Sequence, residues 1–251
     1  MDDGSPVARS GAAPGARPER RLNRDPVTLG DVSWPSLEPL EGERVRLVSV
    51  DPAAHLESLF ALSHGAAETE ALWTYMPYGP FGDRAAMAAW LEGCAGAKDP
   101  RFVAVYDKAR ERASGMASFL NINPAHGSIE IGHIWFAPPL QRTPAATEAL
   151  FLMMRHAFDE LGNRRLEWKC NALNEASRRA ALRLGFRFEG VFHQHMVVKS
   201  LNRDTAWFSI LDHEWPSLRA NFEAWLAPEN FDAEGRQKQS LSALNATAER
   251  R

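Results

Sequence analysis

The sequence is poor in cysteine and has no long apolar run, and each absence excludes a class of protein. Its two cysteines, Cys94 and Cys170, lack the paired C-x-x-C spacing of a zinc site, and we expect Cys170 to be a buried apolar side chain rather than a nucleophile. No segment holds the roughly 20 apolar residues that cross a bilayer, and the N-terminus has no apolar signal core. The sequence therefore predicts a cytoplasmic protein with no membrane partner.

The chain also lacks a strong excess of either charge. Its net charge of −3 and its pI near 6.3 give no electrostatic footprint for nucleic acid, so we expect no nucleic-acid partner. What is present is an ordinary globular composition, with 45% hydrophobic and 24% charged residues among 251. That composition suffices for one domain with a sizeable core.

The two ends of the chain have little apolar content. Residues 1–38 are rich in Gly, Ala, Pro and Arg, so they cannot bury enough surface to offset the entropy of ordering. We therefore expect a disordered N-terminal tail at 1–38, a single domain at 39–227 and a polar C-terminal tail at 228–251. Trp34 and Pro35 are the first residues expected to touch the domain. The C-terminal tail could form a short helix or be disordered.

The apolar periodicity of residues 43–226 predicts the element order β-α-α-β-β-β-α-β-α-β-β, closed by one more helix. Asp51, Asp83 and Asn174 have the residue types of helix N-caps, and the helix after the fourth strand covers 145–161. Short turns join the second, third and fourth strands, which indicates an antiparallel meander. The seven predicted strands cover 43–50, 102–106, 113–122, 128–136, 165–170, 186–199 and 205–211.

Residues 72–81, LWTYMPYGPF, combine aromatic rings with two prolines and a glycine, which is too irregular for a helix or a central strand. We predict a loop. Because freely exposed rings would form an adhesive patch, this loop either lines a pocket or plugs the core. The rings concerned are those of Trp73, Tyr75, Tyr78 and Phe81.

The stretch 141–147, QRTPAAT, connects the strand at 128–136 to the helix at 145–161. The first N–H groups of a helix lack intrahelical partners and lie at the positive end of its dipole, so they can bind an anion. The small side chains of Ala145 and Ala146 allow a ligand to approach closely. Further donors are Arg142, Thr143 and Thr147. The pattern predicts a phosphate site, with an ordinary helix start as the alternative.

The same stretch resembles the pyrophosphate-binding segment of the GNAT acetyltransferase superfamily, whose pattern is Gln/Arg-x-x-Gly-x-Gly/Ala. Gln141 opens the pattern and Ala146 fills its last position. Pro144 departs from it where Gly is usual. Proline is favoured at the first helical position, and its cost here is one N–H donor fewer for the phosphates.

The second half of the chain is similar to the RimJ/RimL branch of that superfamily. The pattern N-x-x-S at 174–177, followed by LGFRFEG at 184–190, looks like the segment after the fifth strand in that branch. The aromatic loop at 73–81 and the ending at 203–215 are also similar to it. The resemblance implies an α+β GNAT fold, with a central mixed and mostly antiparallel seven-stranded sheet flanked by helices.

The resemblance also implies that acetyl-CoA binds as a cosubstrate in a V-shaped gap between the strands at 128–137 and 165–172. The backbone groups implied to pair with its pantetheine arm are those of Trp135, Phe136 and Ala137. The implied contacts of its pyrophosphate are Gln141, Arg142, Thr143, Ala145, Ala146 and Thr147.

The implied chemistry needs a neutral amine and a donor for the leaving thiolate. Glu130 is the first candidate for the general base, acting through water, and an exposed strand carboxylate is its alternative. His133 is the second candidate, with a core histidine as its alternative. Asn174 and Ser177 would reach the pantetheine and the sulfur, although a plain N-cap also accounts for Asn174. Ser177 is the candidate acid, because residues 174–184 contain no tyrosine.

The remaining polar clusters predict less. His193 and His195 lie two apart on one strand, but no third ligand is evident, so we expect no metal. Arg178, Arg179 and Arg183 indicate a solvated helix face, with contact to the nucleotide's phosphate as the alternative. The expected cosubstrate is therefore acetyl-CoA alone.

The leading prediction is an N-acetyltransferase that acts on a small-molecule or amino-acid-like primary amine. The rings of residues 73–81 suit a compact acceptor, and no acidic cluster is present for a strongly basic one. A protein N-terminus is the alternative acceptor. A CoA-binding protein without transfer activity and an interaction module that recruits partners through its tails are the other two functions considered. The sequence leaves a homodimer open.

Overall fold

The computed structural model describes residue 20, residues 26–36 and residues 38–249. Most of the predicted N-terminal tail at 1–38 therefore lies outside the described residues. In its described part, the Ser33 N–H donates to the Leu161 carbonyl at 3.0 Å, and the Arg20 guanidinium lies 2.8 Å from a Glu214 oxygen. Contact with the domain thus begins well before Trp34.

The core of the fold is one sheet whose strand order is β1-β2-β3-β4-β5-β6-β8-β7. Its strands are β1 (Leu40–Glu41), β2 (Val45–Ser49), β3 (Arg101–Asp107), β4 (Arg112–Asn123), β5 (Ser128–Phe136), β6 (Arg165–Asn171), β7 (Arg187–Val198) and β8 (Leu201–Leu211). Every neighbouring pair is antiparallel except β5 and β6. The predicted mixed, mostly antiparallel sheet is confirmed, but it has eight strands rather than seven. The added strand, β1, has only two residues, which is too short to produce a periodic pattern.

Seven α-helices flank this sheet in the described part of the chain. They are α1 (Pro52–Ser63), α2 (Ala67–Glu70), α3 (Arg84–Gly96), α4 (Pro144–Arg155), α5 (Glu175–Arg183), α6 (Trp215–Leu226) and α7 (Leu241–Glu249). The predicted N-caps are confirmed, since the side chains of Asp51, Asp83 and Asn174 each accept from a backbone N–H one turn on. The helix predicted over 145–161 changes to a π-helical turn at His156–Glu160.

Two apolar layers cover the two faces of the sheet. The layer that contains Leu59, Trp73 and Met87 packs α1 and α3 against β2 to β5. The other layer contains α4, α5 and α6, and ten of the twelve residues of α4 are buried in it. β7 lies at the far edge and is mostly exposed. The layer that contains α1 and α3 therefore extends across the sheet only as far as β5.

The β7–β8 hairpin differs from the prediction in its turn. The sequence placed a five-residue connection at 200–204 between its last two strands, whereas the structure joins them through Lys199 and Ser200 alone. Both residues have positive φ, at 49° and 63°, as a type I′ turn requires. The strand β8 therefore starts at Leu201, four residues earlier than predicted.

The chain after α6 packs against the domain rather than forming the separate polar tail expected at 228–251. Phe231 and Gln237 form a β-bridge, Leu241 is fully buried, and Asn245 is 5% exposed. A few anchoring side chains suffice to fix a segment whose average composition is polar. No helix in the described ranges combines the length and the apolar character needed to span a membrane.

Candidate active site

The strands β5 and β6 separate to form a gap. They pair in parallel at three positions only, where Ser128, Ile129 and Glu130 face residues 165–167. Beyond these positions β5 continues to Phe136 with β4 as its partner on the other side. The unpaired edges leave room for an extended ligand, as the resemblance implied.

A β-bulge bends β5 beside this gap. His133 and Ile134 together face one residue of β4, because the register shifts between the pairs Ser118–Gly132 and Met116–Trp135. His133 has a positive φ of 51°. Bulges of this kind redirect side chains and are frequent near active sites.

The N-terminus of α4 lies near one end of the gap. Thr143 is its N-cap, and its Oγ1 accepts from the Ala146 N–H at 3.2 Å and donates to the Leu140 carbonyl at 2.6 Å. Pro144 follows at the first helical position. The Thr143 hydroxyl therefore holds the turn together and is not the free phosphate donor predicted. The backbone N–H groups of Arg142 and Thr143 make no hydrogen bond to a described residue.

Three other predicted contacts are partly engaged inside the protein. The Gln141 side-chain amide donates to the Phe136 carbonyl at 2.8 Å, and the Ala137 N–H donates to the Ser114 carbonyl at 2.9 Å. The Thr147 hydroxyl receives a hydrogen bond from Arg183 at 3.2 Å. Gln141 thus orients the end of β5. The small side chains of Ala145 and Ala146 leave the backbone at the helix start accessible to a ligand.

A cleft of about 790 Å³ lies at this helix start, and Phe136 at the end of β5 lines it. Its walls come from the 141–147 turn, from α5 and from the segment after α6. Four arginines line it, namely Arg142, Arg179, Arg183 and Arg236. Free backbone N–H groups, a helix dipole and this cationic lining suit a phosphate-bearing ligand. The residues present therefore fit the phosphate-bearing end of acetyl-CoA.

Asn174 and Ser177 lie at the start of α5. The Asn174 Oδ1 accepts from the Ser177 N–H at 3.1 Å, so the N-cap alternative accounts for this side chain. The Ser177 Oγ accepts from the Trp168 indole N–H at 3.0 Å. An accepting oxygen keeps its own O–H, and the Cys170 sulfur lies within hydrogen-bond reach of the Ser177 hydroxyl.

Glu130 is 4% exposed, so it is not the exposed strand carboxylate considered as an alternative. Its Oε2 lies 2.8 Å from the Lys169 ammonium and 2.6 Å from the Asn121 amide. Lys169 also pairs with Glu167 at 2.8 Å. Burial raises the pKa of Glu130, and the attraction of Lys169 opposes this rise. The carboxylate thus belongs to a buried polar network at the closed end of the gap.

His133 faces Tyr78, whose ring stacks on it with the centroids 5.6 Å apart. The Tyr78 hydroxyl lies 3.1 Å from the His133 Nδ1. Burial, assisted by the nearby charge of Arg203, lowers the pKa of His133 to about 4. An imidazole with this pKa is neutral at pH 7 and is a weak base. Glu130 and His133 make no hydrogen bond to one another.

The aromatic loop divides between the core and the surface. Trp73 has no exposed surface, and its indole N–H donates to the Ser63 carbonyl at 3.0 Å. Phe81 packs against it with the ring centroids 5.4 Å apart. The pocket interpretation is therefore wrong for Trp73, which plugs the core. Tyr75 is 37% exposed, and its hydroxyl donates to the Leu173 carbonyl at 3.2 Å.

The sequence interpretation missed three polar residues of this region, Asn121, Lys169 and Arg203. The Nε of Arg203 is buried without a partner among the described residues. The signal for Lys169 was the alternation of β6, where Arg165, Glu167 and Lys169 share the face opposite its apolar residues. Its pairing with Glu130 joins two strands distant in sequence, which no local pattern reveals.

A protein-family model described as an acetyltransferase (GNAT) domain matches residues 44–187, more than half of the chain. The chain belongs to the GNAT acetyltransferase family. Its GNAT fold is further supported by a solved GCN5-related N-acetyltransferase from Brucella melitensis. That structure is 48% identical with a TM-score of 0.84, and the match covers 86% of this chain and 97% of that one.

Two other relatives of this GNAT domain differ in how much they cover. YdaF of Bacillus subtilis (strain 168), which carries the provisional name of a ribosomal N-acetyltransferase, is 31% identical over 101 residues. The match spans 40% of this chain and 55% of YdaF. It supports the predicted RimJ/RimL-like branch. The microcin C7 self-immunity acetyltransferase MccE, solved with acetyl-CoA and AMP, has a TM-score of 0.60 at 21% identity, covers 70% of this chain and 98% of that one, and shares the fold.

Proposed function

We propose that this protein transfers the acetyl group of acetyl-CoA to a primary amine. The observation that carries the proposal is the gap between β5 and β6, together with a buried carboxylate at its paired end and an arginine-lined cleft at the start of α4. Acetyl-CoA supplies an activated thioester. The protein's own residues bind its phosphates, accept a proton from the amine and donate one to the departing sulfur.

Glu130 is the proposed proton acceptor. Its Oε2 is occupied by Lys169 and Asn121, whereas its Oε1 makes no hydrogen bond to a described residue. The free oxygen can accept from a water molecule that contacts the amine. Burial raises the pKa of this carboxyl group, and the attraction of Lys169 opposes that rise by favouring the ionised form. A raised pKa moves this base toward neutral pH, where proton transfer is most effective.

Ser177 is the proposed donor to the leaving thiolate. Trp168 donates to its oxygen, which fixes the hydroxyl and directs its own proton away from the indole. His133 is better suited to shaping the site than to proton transfer, because its low pKa leaves it neutral. Tyr78 holds its ring in place.

A protein N-terminal amine is the acceptor best supported. YdaF is named for a ribosomal acceptor, and Trp73, on which a small closed aromatic pocket depended, is buried in the core. The sheet face beyond β5 is open, and Phe192 there is 51% exposed. An open face accommodates a chain more readily than a closed pocket does.

A small amino-acid-like amine is the second candidate, and Arg203 is the residue that favours it. This guanidinium forms no ion pair with any described residue, although its Nε is buried. A carboxylate on the acceptor would supply the missing partner. Peptides with an acidic second residue would satisfy the same cation.

The test is mass spectrometry of acceptors incubated with the full chain and acetyl-CoA. The panel contains N-terminal peptides, with and without acidic residues, and free amino acids. Faster acetylation of peptides supports the protein acceptor, and faster acetylation of free amino acids supports the second candidate. If coenzyme A binds but no amine on the panel gains an acetyl group, the proposed transferase activity is wrong.

A further inference from the structure

The segment that follows α6 lines the same cleft as the helix start of α4. Phe231, Gly235, Arg236 and Gln237 face the cleft opposite the residues of α5. The family match ends at residue 187, so this wall lies outside it. We propose that the wall formed by Phe231, Gly235, Arg236 and Gln237 is part of the coenzyme site and that it sets the affinity of the site for the phosphate-bearing nucleotide end. This inference rests on the proposed function.

The segment is held in one conformation by bonds of its own. The Trp225 indole N–H donates to the Gln237 Oε1 at 2.8 Å. The Asn230 side-chain amide donates to the carbonyls of Trp225 and Gln239 at 3.0 and 3.1 Å, and its Oδ1 accepts from the Gln239 N–H at 2.9 Å. A wall fixed before binding loses little conformational freedom when a ligand arrives.

The C-terminal part of the chain also fixes Arg183, the arginine at the junction of the three walls. The Asn245 amide donates to the Arg183 carbonyl at 3.0 Å, and the guanidinium lies 4.9 Å from the centre of the Trp225 ring. Arg183 reaches Thr147 at the start of α4. Trp225, Asn245 and Thr147 thus hold this cation at the cleft.

Arg183 has no carboxylate partner among the residues that the structure describes, and burial lowers its pKa. A partly buried cation without a counter-ion is costly unless an anion approaches it. Arg236 differs, since Asp232 and Glu234 neutralise it at 2.8 and 2.9 Å. Arg183 therefore offers the cleft a positive charge without a carboxylate partner among the described residues, and Arg236 supports the shape of the wall.

The decisive variant is Gln237→Glu, which keeps an acceptor for the Trp225 N–H and adds one negative charge to the wall. Its matched control is Gln239→Glu in the same segment, whose side chain is exposed and does not line the cleft. Calorimetry of the full chain with coenzyme A, and with adenosine 3′,5′-bisphosphate as the nucleotide end alone, measures the dissociation constant of each variant.

We expect Gln237→Glu to weaken both ligands about tenfold, since like charges at short range repel, and the control to stay within about twofold of the wild type. Arg183→Gln should also weaken both about tenfold. If the wild type binds coenzyme A and Gln237→Glu binds it equally well, the segment is no part of the site and the inference fails. If the wild type binds no coenzyme A, the proposed function fails and the inference with it.

Discussion

The charged side chains at the two ends of the gap between β5 and β6 differ in whether they are paired. At the closed end, Glu130 is buried and paired with Lys169. At the open end, Arg183 is half-buried and has no acidic partner in the described part of the chain. A satisfied pair needs no ligand, whereas an unpaired cation favours an anionic one. The closed end is therefore organised in advance for chemistry, and the open end is organised for binding an anion.

Breaking the pair at the closed end should have the largest effect. Lys169→Met leaves Glu130 buried without its counter-ion, and removal of one partner of a buried pair costs about 3 kcal/mol or more. We expect a lower free energy of unfolding by urea denaturation and a further rise in the pKa of Glu130. The exposed Lys98→Met is the control. A Lys169 variant as stable as the wild type would show that the pair is not needed.

Neutralising the carboxylate tests its proposed chemical role. Glu130→Gln retains the shape of the side chain but cannot accept the amine proton, so we expect kcat to fall about a hundredfold. The loss should be greatest at low pH, where the amine is protonated, and the KM for acetyl-CoA should change little. Glu167→Gln removes the other carboxylate on Lys169 and is the control. Equal losses in both variants would assign Glu130 a structural role only.

The open end is tested by adding the opposite charge at the helix start. Ala146→Asp places a carboxylate where the phosphates are proposed to bind, and we expect at least a tenfold weaker dissociation constant for coenzyme A by calorimetry. Ala146→Asn has nearly the same volume without the charge and isolates the electrostatic part. An aspartate variant that binds as well as the asparagine variant would remove this turn from the phosphate site.

The remaining prediction concerns His133 and the pH dependence of stability. Its pKa is about 4 in the folded protein and 6.5 in a free side chain. Between these values the unfolded chain binds a proton that the folded chain does not, so stability falls as the pH drops from about 6.5 to about 4 and then levels off. The slope from this group is at most about 1.4 kcal/mol per pH unit. His133→Asn should flatten it in urea titrations, and the exposed His126→Asn should not.

Local patterns predicted the parts of the fold that depend on neighbouring residues. The caps at Asp51, Asp83 and Asn174 and the helix start after Thr143 follow from side chains that bond within one turn. The strand pattern of β2 to β8 was visible in the same way. Only β1 was missed, because a two-residue strand has no period.

The site was predicted less completely because its contacts are distant in sequence. Glu130 was identified, but its burial depends on Lys169 and Asn121 from neighbouring strands. Trp73 became a core residue because α1 and α3 close over it, which the loop composition alone does not determine. The segment after α6 was predicted to be a tail, because its average composition is polar and only a few of its side chains anchor it to the domain.

The bulge at His133 gives β5 two phases of alternation. Ile129 and Ile131 before it, and Ile134 and Phe136 after it, pack into the layer of α4, whereas Trp135 packs into the layer of α1 and α3. At the bulge, the side chains that pack into the layer of α4 thus change from the odd-numbered to the even-numbered positions of β5. Insertion or deletion of a single residue there would send the end of the strand to the wrong layer. We therefore expect this strand to tolerate insertions or deletions only in steps of two residues.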